Sequence, residues 1–264
     1  MKEKSAYNES VNIVAVERAL KIMEVIYHEG KEMGIKDIAR KMDEHQSTIY
    51  RAITTLTHAG YLYQNDDNGK YGLGYKNYML GKRVEKESSL IRIAKPYAED
   101  LADKYKENVN VAIRDVTRKD GYYAITIFQA NGNRNRTLSV SESIGVSYEC
   151  YNCSVGKVLM AFSEDLNFSI IKNIKFIPYT EYTIVEPEAF QKEIEDIRKK
   201  GYGLDNQERE LGLYCVACPV LDKEGTAVMA LSVSGYENSV RSHGIENIVK
   251  DLKDACNKME MLVV

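Results

Sequence analysis

Several features are missing from this 264-residue chain. No stretch approaches the roughly 18 consecutive apolar residues of a membrane-crossing helix, so a membrane partner is not expected. The opening segment, MKEKSAYNES, is polar and lacks an apolar signal core, so the protein is expected to be cytoplasmic. There is no G-x-S-x-G elbow, no P-loop and no H-E-x-x-H, and no cofactor is expected. Histidine is scarce and scattered over His28, His45, His58 and His243. A nucleophilic serine or cysteine would need a base that the sequence does not supply, so the chain is not expected to be an enzyme. Cysteine is odd in number, at five, which in a cytoplasmic protein reads as thiols rather than disulfides. Charge is nearly balanced, at −3 overall. Residues 1–87 carry 14 basic and 13 acidic side chains, a weak case for strong non-specific binding to polyanions.

What is present begins at residues 35–64, IKDIARKMDEHQSTIYRAITTLTHAGYLYQ. Ile35, Ile38, Ala39 and Met42 form the stripe of a short helix. A polar turn at Asp43-Glu44-His45 follows. Ile49, Ala52, Ile53 and Leu56 mark a second helix, which Gly60 ends. Two short helices joined this way form a helix-turn-helix, whose second helix enters the DNA major groove. Its polar face carries Gln46, Ser47, Thr48, Tyr50, Arg51 and Thr54. Hydroxyls and an amide beside free backbone N–H groups suit phosphate oxygens, and Arg51 suits guanine or phosphate. An ordinary hairpin with a polar face would look similar. The next segment separates the two readings. Tyr61–Gln64 reads as a strand, Asn65–Gly69 as a tight turn and Lys70–Leu73 as a returning strand, which together make a winged helix with Lys70 placed to touch phosphate. Double-stranded operator DNA is the expected partner.

An amphipathic helix precedes the motif, with Val14, Ala15, Ala19, Ile22, Val25 and Ile26 apolar; such a helix is mostly scaffold and often aids dimerisation. Tyr75, Tyr78, Met79, Leu80 and Val84 suggest a linker helix. The expected division is a winged-helix domain over 1–81, a linker over 82–90 and a second domain over 91–264. In that domain Ser88 or Ser89 caps a helix in which Pro96 marks a kink or a later start. Strands are expected at 109–116, 121–129, 137–141, 202–206, 212–221 and 227–234. Helices are expected at about 154–163, 164–173, 187–200 and 242–262. The class is α+β: an antiparallel sheet with helices packed on it, a sensor arrangement. Ser232 and Ser234, two apart in ALSVSG, share a strand face opposite Leu231 and Val233. Buried hydroxyls there need partners, either neighbouring strands or a small polar ligand.

The segments AVERALKIMEVI, GIKDIARKM, STIYRAITTL and AGYLYQ…GKYGLG resemble the winged-helix domain of IclR-family transcriptional regulators. SVGKVLMAF and GYGLDNQERELGLYCVACPV…ALSVSG resemble that family's effector-binding domain. The resemblance covers nearly the whole chain. It implies a homodimer, often a dimer of dimers, that binds a palindromic operator as repressor or activator and answers to a small organic acid or aromatic metabolite. It also implies a pocket of Asp205, Cys215, Ser232 and Ser234, with backbone N–H groups of Ser154 and Val155 at a helix start. That donor set suits a carboxylate. Asp205 would repel the anion, so it either bonds a ligand hydroxyl or orients its neighbours; its plain alternative is a turn residue beside Asn206. One departure is ECYNCSVGK, where the family has a HATALGK-like segment. It places Cys150 and Cys153 in one C-x-x-C, with Cys215 and Cys218 in another, so a metal- or thiol-responsive regulator is the second reading. Against it, Cys215 and Cys218 should point to opposite strand faces. Cys256 is expected in the core.

Overall fold

The computed structural model describes residues 12–118, 121–132 and 144–263. The chain divides into two compact units, Met1–Glu87 and Ser88–Val264.

The first unit contains α1 (Val14–Glu29), α2 (Ile35–Met42), α3 (Gln46–His58), β1 (Leu62–Gln64), β2 (Tyr71–Leu73) and α4 (Tyr75–Glu87). Ile22 and Ile26 of α1, Ile38 of α2, Ile49 and Ile53 of α3 and Leu62 of β1 meet in one buried cluster. Burying each such side chain contributes about 1.5–3 kcal/mol. Asp43 stops α2 in the left-handed region, with φ 53°. Strands β1 and β2 pair antiparallel, Leu62 opposite Leu73. Met33, in the α1–α2 connection, adds a bridge to Tyr71 of β2. Gly74 is required because a Cβ there would lie 2.3 Å from the Gly60 carbonyl oxygen. Helix α4 buries none of its side chains within its unit.

The second unit opens with α5 (Ser89–Tyr105), whose Ile91 N–H donates to the Ser88 hydroxyl at 3.3 Å. The helix runs through Pro96, so that residue neither breaks it nor delays its start. Strands β3 (Asn108–Arg114), β4 (Tyr123–Ala130), β5 (Ser147–Glu149), β6 (Gly203–Asn206), β7 (Leu213–Leu221) and β8 (Ala227–Tyr236) form a sheet of order β5-β4-β3-β8-β7-β6 among the described residues. All its neighbouring strands pair antiparallel. The strand expected at 137–141 lies outside the described residues. The short edge strand β5 was not anticipated.

The sheet is covered on both faces. On one, Val109, Val111, Val216, Cys218, Leu231 and Val233 pack with α5 and with α10 (Ile245–Glu260). On the other, small residues at Ala112, Ala217 and Ala230 admit α6 (Ser154–Ala161), and α8 (Pro187–Lys200) packs behind it through Phe190, Ile194 and Ile197. Every residue of α6 is buried. Two expected helices are shorter than their sequence pattern: α6 ends at Ala161, and α7 spans only Phe168–Lys172. The last helix begins at Ile245, after Gly244 at φ 80°, and a separate helix α9 (Glu237–Ser242) precedes it.

Candidate functional site

The first unit presents the polar face of α3. At about 100° per residue, Ser47, Arg51 and Thr54 fall opposite the buried Ile49, Ile53 and Leu56. Gln46 and Tyr50 flank that face on one side and Thr48 on the other. Gln46, Ser47, Tyr50 and Arg51 are exposed, Thr48 and Thr54 half-buried. His45 supplies no side-chain cap, so the first N–H groups of α3 stay open to an anion. The Thr54 hydroxyl already donates to the Tyr50 carbonyl at 2.9 Å, so it meets a further group as an acceptor.

Lys70 stands exposed on the wing. Glu32, which sequence reasoning missed, organises that wing. Its carboxylate accepts from the Tyr63 hydroxyl at 2.7 Å, from Asn65 at 2.9 and 3.0 Å and from Asn68 at 2.9 Å. Hydrogen bonds from Asn68, then Asn65 and Tyr63, hold it below the usual carboxylate range. No local signal pairs residue 32 with a turn more than thirty positions away.

In the second unit a cavity of about 100 Å³ lies between the sheet and the start of α6, and Ser154, Val155, Asp205, Cys215, Ser232 and Ser234 all line it. Strand register explains the convergence. Asp205 on β6 is the cross-strand partner of Cys215 on β7, and Cys215 is the partner of Ser234 on β8. Cross-strand partners project on one face, so the three stand in a row. Ser232 sits opposite Asn110 on β3, one pleat further along. Helix α6 closes the row with its N-terminus, where Cys153 gives no side-chain cap. Gly156 in its first turn admits the close packing, since a Cβ there would lie 2.4 Å from Cys150 Cα.

The polar groups are ordered. The Gln129 amide donates to Asn110 Oδ1 at 2.7 Å, and the Asn110 amide donates to Ser234 Oγ at 3.1 Å. Ser234 and Ser232 hydroxyls lie 3.3 Å apart. Because Ser234 accepts from Asn110, its own proton is left to donate onward. Asp205 Oδ1 accepts the Glu208 N–H at 2.8 Å. Burial, reinforced by Glu208 nearby, pushes the Asp205 carboxyl up to about 7. Asp205 thus lies at the end of β6, where its side chain also braces the turn that follows. Asn110, Tyr148 and Arg209 also line the cavity and were not singled out from sequence. Asn110 left a signal, a polar residue between Val109 and Val111 in an alternating strand. Arg209 left none, since its setting is made by residues distant in sequence.

Behind the cavity, Lys157 of α6 is fully buried, with Nζ 2.6 Å from Glu208 and 3.2 Å from Glu193. Burial opposes its charge, but the two carboxylates more than offset this and hold the ammonium above its ordinary range.

The cysteines separate. Cys153 and Cys215 line the cavity, whereas Cys218 belongs to the opposite sheet face, where Cys256 approaches its carbonyl from α10. Burial pushes Cys153 and Cys218 up to about 12, and Cys150 and Cys215 well above the ordinary thiol range. Among the described residues no three His, Cys, Asp or Glu side chains gather as a metal site. The metal- or thiol-responsive reading thus loses its fourth cysteine to the other face of the sheet and its thiolates to burial.

The IclR helix-turn-helix domain matches residues 15–66, and the C-terminal domain of bacterial IclR transcriptional regulators matches residues 83–261. This chain belongs to the IclR family. The regulator KdgR of Escherichia coli is 30% identical over 254 residues, covering 93% of this chain and 92% of the relative. The crystal structure of an IclR regulator from Alicyclobacillus acidocaldarius has a TM-score of 0.83 at 20% identity, covering 95% of this chain and 98% of that one. An IclR homologue from Microbacterium hydrocarbonoxydans, complexed with 4-hydroxybenzoate, has a TM-score of 0.75 at 18% identity, covering 94% and 98%. IclR-family relatives are named transcriptional regulators, not enzymes. No helix among the described residues is long and apolar enough to cross a membrane.

Proposed function

We propose that this IclR-family regulator reads a roughly palindromic operator through α3 and the wing, as a dimer or a dimer of dimers, and that a small organic acid in the cavity beneath α6 tunes its DNA affinity. Gln46, Ser47, Thr48, Tyr50, Arg51 and Thr54 are the reading residues, with Lys70 on phosphate. The effector's lining is Ser154, Val155, Asp205, Cys215, Ser232 and Ser234. One observation carries the effector reading: strands from across the sheet and the start of α6 converge on one small cavity with buried hydroxyls, a titratable carboxyl and open helix-start N–H groups. Ligand sites have this character, few polar groups at chosen points in an otherwise apolar wall. The relative with 4-hydroxybenzoate supports a carboxylate at the level of fold.

Dimerisation is supported by apolar side chains left largely exposed among the described residues. Val16 and Leu20 of α1 and Tyr78, Met79 and Val84 of α4 are all more than half exposed. Patches of this kind mark interaction surfaces. Light scattering at micromolar concentration should give at least a dimer, and a monomer that still binds DNA specifically would refute the proposal.

The effector reading is tested with Ser232→Ala/Ser234→Ala. A thermal-shift screen of small carboxylates first finds a ligand, because binding to the folded state raises the melting temperature by mass action. The double variant should bind operator like wild type and respond to that ligand at least tenfold more weakly, since each hydrogen bond to a charged group is worth about 1.5–3 kcal/mol. A variant that loses stability but keeps its response would show that the serines serve only the sheet.

A further inference from the structure

Arg209 lies in the turn between β6 and β7, four residues beyond Asp205. That turn is pinned on several sides. The Gln207 N–H donates to the Leu213 carbonyl at 2.9 Å, the Thr180 hydroxyl donates to the Gln207 carbonyl at 2.6 Å, and Gln207 Oε1 accepts the Gly212 N–H at 2.9 Å. The backbone of Arg209 is therefore fixed before its side chain is considered.

The guanidinium is fixed as well. Its carbon lies 4.2 Å from the centre of the Tyr148 ring and 5.1 Å from that of Tyr179. Nη1 donates to Glu149 Oε2 at 3.3 Å and to Asn152 Oδ1 at 3.2 Å. Both bonds use one nitrogen. Among the described residues, Nε and Nη2 carry no hydrogen bond. An arginine edge held this way is a two-pronged donor matched to a carboxylate. A long side chain usually loses rotamer freedom on meeting a ligand, and here it is lost in advance.

Charge bears on the same question. Arg209 is the one basic side chain among the described residues lining the cavity; it shares its charge with Glu149, and Asp205 and Glu210 line the cavity too. The start of α6 offers the equivalent of about half a charge, and Asp205 opposes it when ionised. Lys157 is engaged with Glu208 and Glu193. An anion in this space thus needs a stronger partner than the helix start.

We propose that Arg209 is the specificity-determining residue of the cavity: its open guanidinium edge holds the effector's carboxylate, leaving the ligand's oxo or hydroxyl end to the Ser232–Ser234 row. The proposal rests on the reading of the cavity as an effector site. A cavity of about 150 Å³ accommodates benzene, so about 100 Å³ suits acids of two to four carbons.

The test is calorimetric titration of the full-length protein with three probes: pyruvate, lactate and the uncharged propane-1,2-diol. Wild type should bind the acids at least tenfold more tightly than the diol. Arg209→Gln should cost the acids at least tenfold and leave the diol unchanged, erasing the preference. Arg209→Lys, which keeps the charge but not the fork, should restore part of the acid affinity and guards against a folding defect in the first variant. Equal losses for acids and diol in both variants would show a purely structural clamp and overturn the proposal. Acid binding that is insensitive to Arg209 but lost in Ser232→Ala/Ser234→Ala would overturn it while the cavity reading stands. No binding of any probe to wild type, with no carboxylate found by the thermal-shift screen, would remove both.

Discussion

Ser47 on α3 and Ser232 on β8 carry the same hydroxyl in opposite settings. Ser47 is exposed, on a face whose packing is done by Ile49, Ile53 and Leu56 behind it. Ser232 is 1% exposed, hydrogen-bonded to Ser234 and backed by the Asn110–Gln129 chain. In the first unit the proposed contact groups stand outside the core, and changing them should not disturb it. In the second the proposed effector groups are part of the core, so effector binding and stability should be coupled there.

The largest effect should come from Lys157→Met. It leaves Glu208 buried without its counter-charge, and breaking a buried pair costs about 3–5 kcal/mol. Urea denaturation should show that loss. Lys157→Met/Glu208→Gln should recover part of it, because the uncompensated carboxylate is then gone. A single variant as stable as wild type would mean that the buried charges are not coupled to the core.

Next is the pH dependence set by Asp205. Its carboxyl is raised to about 7 in the folded protein, whereas an unfolded aspartate titrates near ~3.9. Between these values the folded state holds the proton that the unfolded state has released. The contribution of Asp205 to stability should therefore be full below about pH 4, fall by roughly 2–4 kcal/mol as pH rises toward 7 and level off above. Asp205→Asn cannot titrate and should flatten that slope in denaturation curves from pH 5 to 8. A slope unchanged in the variant would assign it to another group.

Sequence legibility divides along the same line. The first unit was readable because a helical stripe is a local signal: Ile49, Ile53 and Leu56 mark the buried side of α3, and the reading face follows by geometry. In the second unit the alternation of β8 exposed the Ser232–Ser234 face, but the row Asp205–Cys215–Ser234 depends on register between strands, which no local pattern records. The family resemblance supplied those residues. Arg209 was missed because Tyr148, Tyr179 and Glu149 reach it from elsewhere in the chain. The extra helix α9 went unnoticed because Gly244, at φ 80°, reads in sequence as an ordinary loop glycine.

The smallest effect on stability, and the sharpest contrast with Lys157, should come from the exposed face of α3. Arg51→Ala and Gln46→Ala remove side chains that support no core contact, so each should leave the denaturation midpoint nearly unchanged, within about 0.5 kcal/mol. Operator affinity should nevertheless fall by about 1–3 kcal/mol where a base contact is lost. Arg51 should show the larger loss, because it lies opposite the core residues whereas Gln46 lies on the flank. The pattern across operator variants separates base reading from phosphate contact. Loss of a base contact relaxes preference at one position, whereas loss of a phosphate contact weakens all sequences alike and shallows the salt dependence. Gel-shift titrations at two salt concentrations decide between them. Unchanged affinity for both variants would place the reading surface elsewhere on the unit and dissolve the contrast between Ser47 and Ser232.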